Sequence, residues 1–137
     1  MILGIGVDIV SVKRFESWHT YAPKKLARFF SPQEIDYCLE YPQKSAERFA
    51  VRFAAKEALF KALCQAYPEK KFTLWAVLRA STVYKLNNVP GIVVNWNRLG
   101  ISLSCIVLVS LAHTQETAIA YLILQNHPAE CLKELLG

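Results

Sequence analysis

The sequence predicts an α+β fold, in which helices and strands occupy largely separate parts of the chain. Predicted helices dominate the first half and predicted strands the second, an order that favours α+β over a doubly wound parallel sheet. One long helix, expected from Ser45 to about Tyr67, is apolar over most of its circumference, as is typical of a helix packed on several sides. With 137 residues, 53% of them hydrophobic and 20% charged, the chain can form one domain with its own core.

The first half of the chain contains one predicted strand followed by helices. In chain order we expect a strand at 2–10, short helices at 11–21 and 23–30, a helix at 31–41 and the long helix at 45–67. Ser31 is a good N-cap, with Pro32 at the first helical position and Glu34 at the third. This helix should end by residue 41 because a proline follows.

The second half of the chain contains the predicted strands. We expect them at 75–80, 83–86, 91–95, 106–112 and 117–124, and "LNNVPG" predicts a turn between the second and third of these. Residues 128–136 could form a terminal helix. The predicted organisation is a single domain at 1–125 followed by a C-terminal tail at 126–137.

Composition limits the function classes. The net charge of +5 favours anionic partners without choosing among nucleic acid, membrane, phosphorylated small molecules and acidic proteins. The four cysteines lack zinc-binding spacing, so they are expected to be reduced core thiols. The start of the chain does not resemble a signal peptide, and the apolar segment 101–112 is too short to span a bilayer. These observations predict a cytoplasmic protein without a membrane partner.

The long helix carries an acid where an apolar residue is expected. At 100° per residue, Glu57 lies about 40° from Phe53, within the narrow apolar face of the helix. One interpretation is a helical ion pair with Lys61, worth only about 0.2–0.5 kcal/mol. The other is a buried carboxylate paired with a fixed cation, such as a metal. Arg48 and Arg52 belong to a basic stripe on the same helix.

A second acid follows two glycines at the start of the chain. In "LGIGVDIV", Gly4, Gly6 and Asp8 share one face of the predicted strand. Paired glycines on one strand face suggest that a backbone or ligand approaches closely. Asp8 could simply end the strand in a turn. Together with Glu57 it could instead hold Mg²⁺, which proteins bind through one or two carboxylates plus substrate phosphates.

The segments "GIGVDIV" and "RFAAKEALFKAL" resemble the holo-acyl-carrier-protein synthases, the small bacterial 4'-phosphopantetheinyl transferases. The resemblance continues through "FSPQEIDYC" and "VSLAHTQETAIAYLIL", so it covers nearly the whole chain. It implies an antiparallel sheet wrapped around a long central helix. It also implies transfer of 4'-phosphopantetheine from coenzyme A to a serine of apo acyl carrier protein, with release of adenosine 3',5'-bisphosphate, in fatty acid biosynthesis.

The resemblance also implies roles for individual residues. Asp8 and Glu57 match the Mg²⁺ ligands, and Glu57 and Lys61 are the expected catalytic residues. The residues expected to hold the phosphates of coenzyme A are Lys44, Arg48, Arg52, Lys61 and His113. The base that deprotonates the carrier serine stays open: Glu57 through a metal-bound water comes first, and Glu34 or Asp36 second.

The resemblance further implies a partner surface and an assembly. Arg14 and Arg28 match positions that meet the acidic carrier protein. A homotrimer is expected, with Asp8 and Glu57 from one subunit and His113 from the next. Two departures from the family pattern concern coenzyme A affinity: Ala112 replaces a serine before the histidine, and Val89 replaces a lysine in a Gly-Lys-Pro turn.

The competing hypothesis is a basic nucleotide- or RNA-binding module without catalysis. Three aromatic residues, Trp75, Tyr84 and Trp96, lie among basic residues and could stack on bases. These rings fit a strand core equally well, and a basic patch alone is a weak signal. The family resemblance favours the enzyme, with no nucleic-acid partner.

Overall fold

The computed structural model describes residues 1–128 and Leu136. It contains five strands and four α-helices in this part of the chain. The strands are β1 (Ile2–Ser11), β2 (Ser81–Leu86), β3 (Val89–Val94), β4 (Ile106–His113) and β5 (Thr117–Gln125). The helices are α1 (Pro23–Leu26), α2 (Pro32–Leu39), α3 (Ser45–Ala66) and α4 (Leu74–Ala80). The predicted α+β class is therefore confirmed.

Two antiparallel sheets flank the long helix α3. The larger has the strand order β1-β5-β4, and β2 and β3 form a separate hairpin. In the larger sheet Asp8 lies opposite Ala120, which in turn lies opposite Leu111. The middle strand β5 therefore separates the two edge strands that carry Asp8 and His113.

Helix α3 packs directly on the inner face of the larger sheet. A Cβ atom at Gly6 would collide with the backbone carbonyl of Ala58, and one at Gly4 with that of Ala62. The glycines on β1 therefore allow close approach of the helix backbone, as their shared strand face suggested. Most of α3 is buried, so the prediction of a central helix is confirmed.

An aromatic cluster fills the other side of α3. Trp18 packs on Phe15, with ring centroids 4.6 Å apart, and on Phe29, at 4.7 Å. Phe49 and Phe53 of α3 join the same cluster. Such tilted aromatic packing adds to the stabilisation from burial alone.

Two predicted elements differ from the structure, and a third lies almost wholly outside the described residues. Residues 75–80 form helix α4 rather than a strand, because Thr73 caps the helix by accepting a hydrogen bond from the Ala76 amide at 3.1 Å. The predicted helix at 11–21 consists of two short 3₁₀ turns, Val12–Phe15 and Trp18–Thr20. The predicted terminal helix lies almost entirely outside the described residues. Within those residues no helix has the length and apolar character needed to cross a membrane.

Candidate active site

Asp8 and Glu57 meet between β1 and α3. Asp8 is 8% exposed and extends from the same strand face as the glycines that let α3 approach. Burial of Glu57 and the neighbouring carboxylate of Asp8 together raise the pKa of Glu57 to about 7. The structure thus brings together the two acids that the sequence predicted as partners.

Lys61 compensates this acidic pair from the next turn of α3. Its ammonium group donates to Asp8 Oδ1 at 3.1 Å and to the Val7 carbonyl at 2.9 Å. Lys61 therefore pairs with the strand acid rather than with Glu57, its neighbour along the helix. The positive charges of Arg14 and Lys61 partly oppose the rise in the pKa of Glu57.

The oxygen atoms of the acidic pair are suitable ligands for a magnesium ion that also binds a substrate. When both carboxyl groups are ionised neither can donate, and Asp8 Oδ2 is buried without a hydrogen-bond partner. A buried carboxylate oxygen without a hydrogen-bond partner is costly unless a cation binds it. Among the described residues no third His, Cys, Asp or Glu joins the pair. Two carboxylates fit Mg²⁺, which takes its remaining ligands from water and substrate phosphates.

Four of the five residues predicted to hold phosphate line one cavity of about 300 Å³, here called the first basic cavity. These four residues are Lys44, Arg48, Arg52 and His113, and Lys85 lines the cavity with them. His113 Nε2 lies 3.2 Å from Glu47 Oε1. The excess of positive charge in the cavity suits a phosphorylated ligand.

The two arginines of the first basic cavity are held by the aromatic ring of Tyr37. The guanidinium carbons of Arg48 and Arg52 lie 3.8 and 4.1 Å from its centroid. Arg52 is only 4% exposed, and its Nε atom has no hydrogen-bond partner. Arg48 has one carboxylate neighbour, Glu40, at 3.3 Å. A buried guanidinium with an unused donor is prepared for an anion, because an arginine presents its donors in a rigid fork.

The first basic cavity and the acidic pair lie on opposite sides of α3. At 100° per residue, Glu57 is about 140° from Arg52 and about 180° from Arg48. In the sheet Asp8 and Leu111 are two strand spacings apart, which is about 10 Å. One chain therefore brings only Lys61 of the predicted phosphate ligands to the predicted metal ligands, and the four that line the first basic cavity lie apart from them.

Glu34 was one of the second candidates for the base that deprotonates the carrier serine. The structure shows that it cannot serve in this role. It is 1% exposed and accepts hydrogen bonds from Lys56 at 2.6 Å, the Ser31 amide at 2.8 Å and the Val83 amide at 3.0 Å. Lys56 is also fully buried. Glu34 is therefore a structural residue, while Asp36 lies exposed on α2.

The two predicted docking residues occupy different places. The Arg14 guanidinium lies over the Phe53 ring at 4.7 Å, and its charge reaches Glu57. Arg28 instead lines a separate cavity beside α4. Arg14 is therefore the docking candidate that lies next to the acidic pair.

Sequence reasoning did not include Tyr37 and Lys85 among the site residues. Tyr37 was part of a matched motif, but only the fold shows that it stacks on both arginines. Lys85 lies opposite Pro90 in the β2–β3 hairpin, whose turn residues Asn87 and Asn88 have positive φ angles of 51° and 63°. The hairpin carries Lys85 to the first basic cavity, and no sequence spacing indicated this.

The two departures from the family pattern, Val89 and Ala112, lie in different places relative to the predicted phosphate residues. Asn88 and Pro90 line the first basic cavity, so Val89, which departs from the family pattern, lies between two residues of its lining. Ala112 precedes His113 on β4, and successive strand side chains face opposite sides of the sheet. Ala112 therefore faces away from the side on which His113 lies.

Comparisons with known proteins identify relatives of this chain. A family model described as the 4'-phosphopantetheinyl transferase superfamily matches residues 4–121. A holo-[acyl-carrier-protein] synthase of Treponema denticola is 52% identical over 63 residues, which cover 46% of this chain and 50% of the relative. The matched segment thus spans about half the length of that relative.

Two further proteins match almost throughout. A holo-[acyl-carrier-protein] synthase of Borrelia turicatae is 31% identical over 132 residues, covering 92% of this chain and 100% of the relative. The crystal structure of a holo-(acyl-carrier-protein) synthase from Bacillus anthracis, in complex with CoA (3',5'-ADP), superposes with a TM-score of 0.70. It is 26% identical and covers 93% of this chain and 99% of that one.

Proposed function

This chain belongs to the 4'-phosphopantetheinyl transferase superfamily, and on that premise we propose that it is a holo-acyl-carrier-protein synthase. The reaction moves 4'-phosphopantetheine from coenzyme A to a serine hydroxyl of apo acyl carrier protein and releases adenosine 3',5'-bisphosphate. The observation that carries the proposal is the Asp8–Glu57 pair, with one buried oxygen left without a partner.

Mg²⁺ is the proposed cofactor, and Asp8 and Glu57 are its proposed ligands. A bound Mg²⁺ supplies Lewis-acid polarisation of the phosphoryl group and neutralises charge on the departing phosphate. Lys61 already contacts Asp8, so it holds this carboxylate in place and keeps a cation beside the reacting phosphate. We assign the proton of the carrier serine to Glu57, taken directly or through one water.

Coenzyme A is the proposed donor, and the first basic cavity is its proposed phosphate site. Arg52 offers a buried donor without a partner, while Lys44, Arg48 and Lys85 add positive charge around it. Charge-assisted hydrogen bonds from arginine to phosphate are among the stronger polar contacts in proteins. The affinity for the nucleotide end of coenzyme A is therefore assigned to this cavity.

A homotrimer with shared sites accounts for the separation of the two halves. The outer face of the larger sheet exposes many large apolar side chains: Ile5 (47%), Val7 (49%), Ile9 (66%), Leu108 (51%), Ile119 (37%) and Tyr121 (44%). An exposed apolar patch of this kind is typical of a protein–protein interface. We propose that packing of these faces in a trimer sets the first basic cavity of one copy beside the acidic pair of its neighbour.

The acidic carrier is the proposed acceptor, with Arg14 and Arg28 as docking residues. Arg14 lies close enough to influence Glu57 electrostatically, so a carrier bound there would bring its serine near the acidic pair. Complementary charge speeds encounter and orients the partners.

The direct test is incubation of the protein with coenzyme A, Mg²⁺ and apo carrier protein, followed by mass spectrometry of the carrier. We expect the carrier to gain the mass of one phosphopantetheine and expect a chelator to prevent this gain. Absence of the gain with every apo carrier of the source cell would contradict the proposal. Salt-dependent RNA binding without transfer would favour the binding module instead.

A further inference from the structure

A second basic cavity, of about 560 Å³, lies on another part of the surface. Its charged lining residues are Lys24 and Arg28 from the α1 region, Arg79 at the end of α4 and Arg98. No acidic side chain lines this cavity. Within residues 1–128, none of these four cations takes part in an ion pair. The cavity therefore presents uncompensated positive charge.

The buried Lys56–Glu34 pair fixes the walls of the second basic cavity. Lys56 donates to the Phe29 carbonyl at 3.0 Å and to the Leu78 carbonyl at 3.1 Å. Glu34 accepts from the Ser31 amide at 2.8 Å. Ser31 and Leu78 both line the cavity. The α1–α2 connection and α4 are thus tied to one buried ion pair, so the cavity is formed before any partner arrives.

The exposure of the cations indicates what kind of anion the cavity accepts. All four are exposed, so water screens each of them, and a small free anion would gain little. A protein surface that covers the cavity would displace this water and strengthen every charge contact. Arg28, already a proposed docking residue, is one of the four cations that line this cavity.

We propose that the second basic cavity receives carboxylate side chains of the acidic carrier protein and is a second anchoring point beyond Arg14. This inference rests on the proposed function. Arg79 and Arg98, which no family match assigns to docking, become contact residues for the carrier. Contacts at both places would fix the orientation of the carrier relative to the acidic pair.

The lining of the cavity favours a protein over a nucleic acid. Proteins that bind single strands stack the bases on exposed aromatic rings. The one aromatic lining residue, Phe30, is only 3% exposed. Bases would therefore find no stacking surface inside the cavity, whereas aspartate and glutamate side chains need only the cations.

The test compares Arg79→Glu with Lys71→Glu, which makes the same charge change at an exposed residue outside both basic cavities. Binding of fluorescently labelled apo carrier is measured directly, and the KM values for carrier and coenzyme A are measured in the transfer assay. We expect Arg79→Glu to weaken carrier binding about tenfold and to leave the KM for coenzyme A unchanged. Arg79→Lys should retain most of the affinity.

The outcomes separate this inference from the proposed function. Equal carrier affinity in the wild type and Arg79→Glu, with transfer intact, overturns the second anchoring point alone. Equal losses in Arg79→Glu and Lys71→Glu would indicate a general charge effect and also overturn it. A selective loss of RNA binding in Arg79→Glu would assign the cavity to nucleic acid instead. A wild-type protein that binds no carrier would overturn both proposals.

Discussion

At the scale of single residues, the proposed transfer reaction depends on a few polar side chains that lie between β1 and α3. The sequence placed Glu57 on an apolar helix face and Asp8 beside two glycines, and the structure brings these acids together. The partner of Lys61 could not be read from spacing, because helical spacing identifies neighbours only along one helix. Lys61 reaches across to β1 instead, a contact that depends on how closely β1 approaches α3.

Lys85 gives a prediction at this scale. Replacing Lys85 by Ala removes a cation from the first basic cavity, so the KM for coenzyme A should rise about five- to tenfold, the loss of one charged contact. The KM for the carrier should not change, because Lys85 lines neither the acidic pair nor the second basic cavity. Steady-state kinetics with Lys71→Ala as the matched control measure both effects. An unchanged KM for coenzyme A in Lys85→Ala would remove Lys85 from the site.

At the scale of elements, local signals predicted most boundaries and failed where the local pattern was ambiguous. The start of α2 followed from its capping box, which the structure contains. The segment 74–80 is a short apolar run, and such runs fit a buried strand or a buried helix equally well. The N-cap at Thr73 favours the helix, and Arg79 of this helix lines the second basic cavity.

The packing of β1 on α3 gives a prediction for this scale. In Gly6→Ala the new methyl group would collide with the Ala58 carbonyl, a backbone atom that cannot move without shifting the helix. We expect a loss of about 3 kcal/mol in the free energy of unfolding, as for other overpacked sites. Chemical denaturation measures it.

Gly91→Ala is the matched control for Gly6→Ala. There the new methyl group would meet only the ring end of Tyr84, which is 42% exposed and free to turn away. The expected loss is below about 1 kcal/mol. Equal losses for the two variants would show that close packing of β1 on α3 is not what requires Gly6.

At the scale of the whole molecule, the sequence predicted the fold class, and the family resemblance implied that the acidic pair and His113 come from different subunits. Arg48, Arg52 and Glu57 are close in sequence, yet α3 directs them to opposite sides. Only the sheet order β1-β5-β4 shows that Asp8 and His113 lie on different edges. The residue types indicate which chemistry the site residues share, whereas the distances between these residues depend on the order of the strands.

The apolar outer face of the larger sheet gives a test of the proposed homotrimer. In Leu108→Glu a charge is placed on the apolar outer face, where burial in an interface would be costly. We expect the wild type to sediment as a trimer and Leu108→Glu as a monomer in analytical ultracentrifugation. Leu86→Glu is the control, because Leu86 is 67% exposed on the separate hairpin. A monomeric wild type would contradict the proposed trimer.

The central claim is that Asp8 and Glu57 together support phosphopantetheine transfer, and rates of carrier modification in single variants test it most directly. Glu57→Gln and Asp8→Asn keep the shape of each side chain but remove its charge, and Glu69→Gln makes the same change at an exposed acid outside the site. The account predicts at least about a hundredfold slower transfer in the two site variants, because they lose proposed metal ligands, and a normal rate in Glu69→Gln. Transfer at the wild-type rate by folded Glu57→Gln would contradict it.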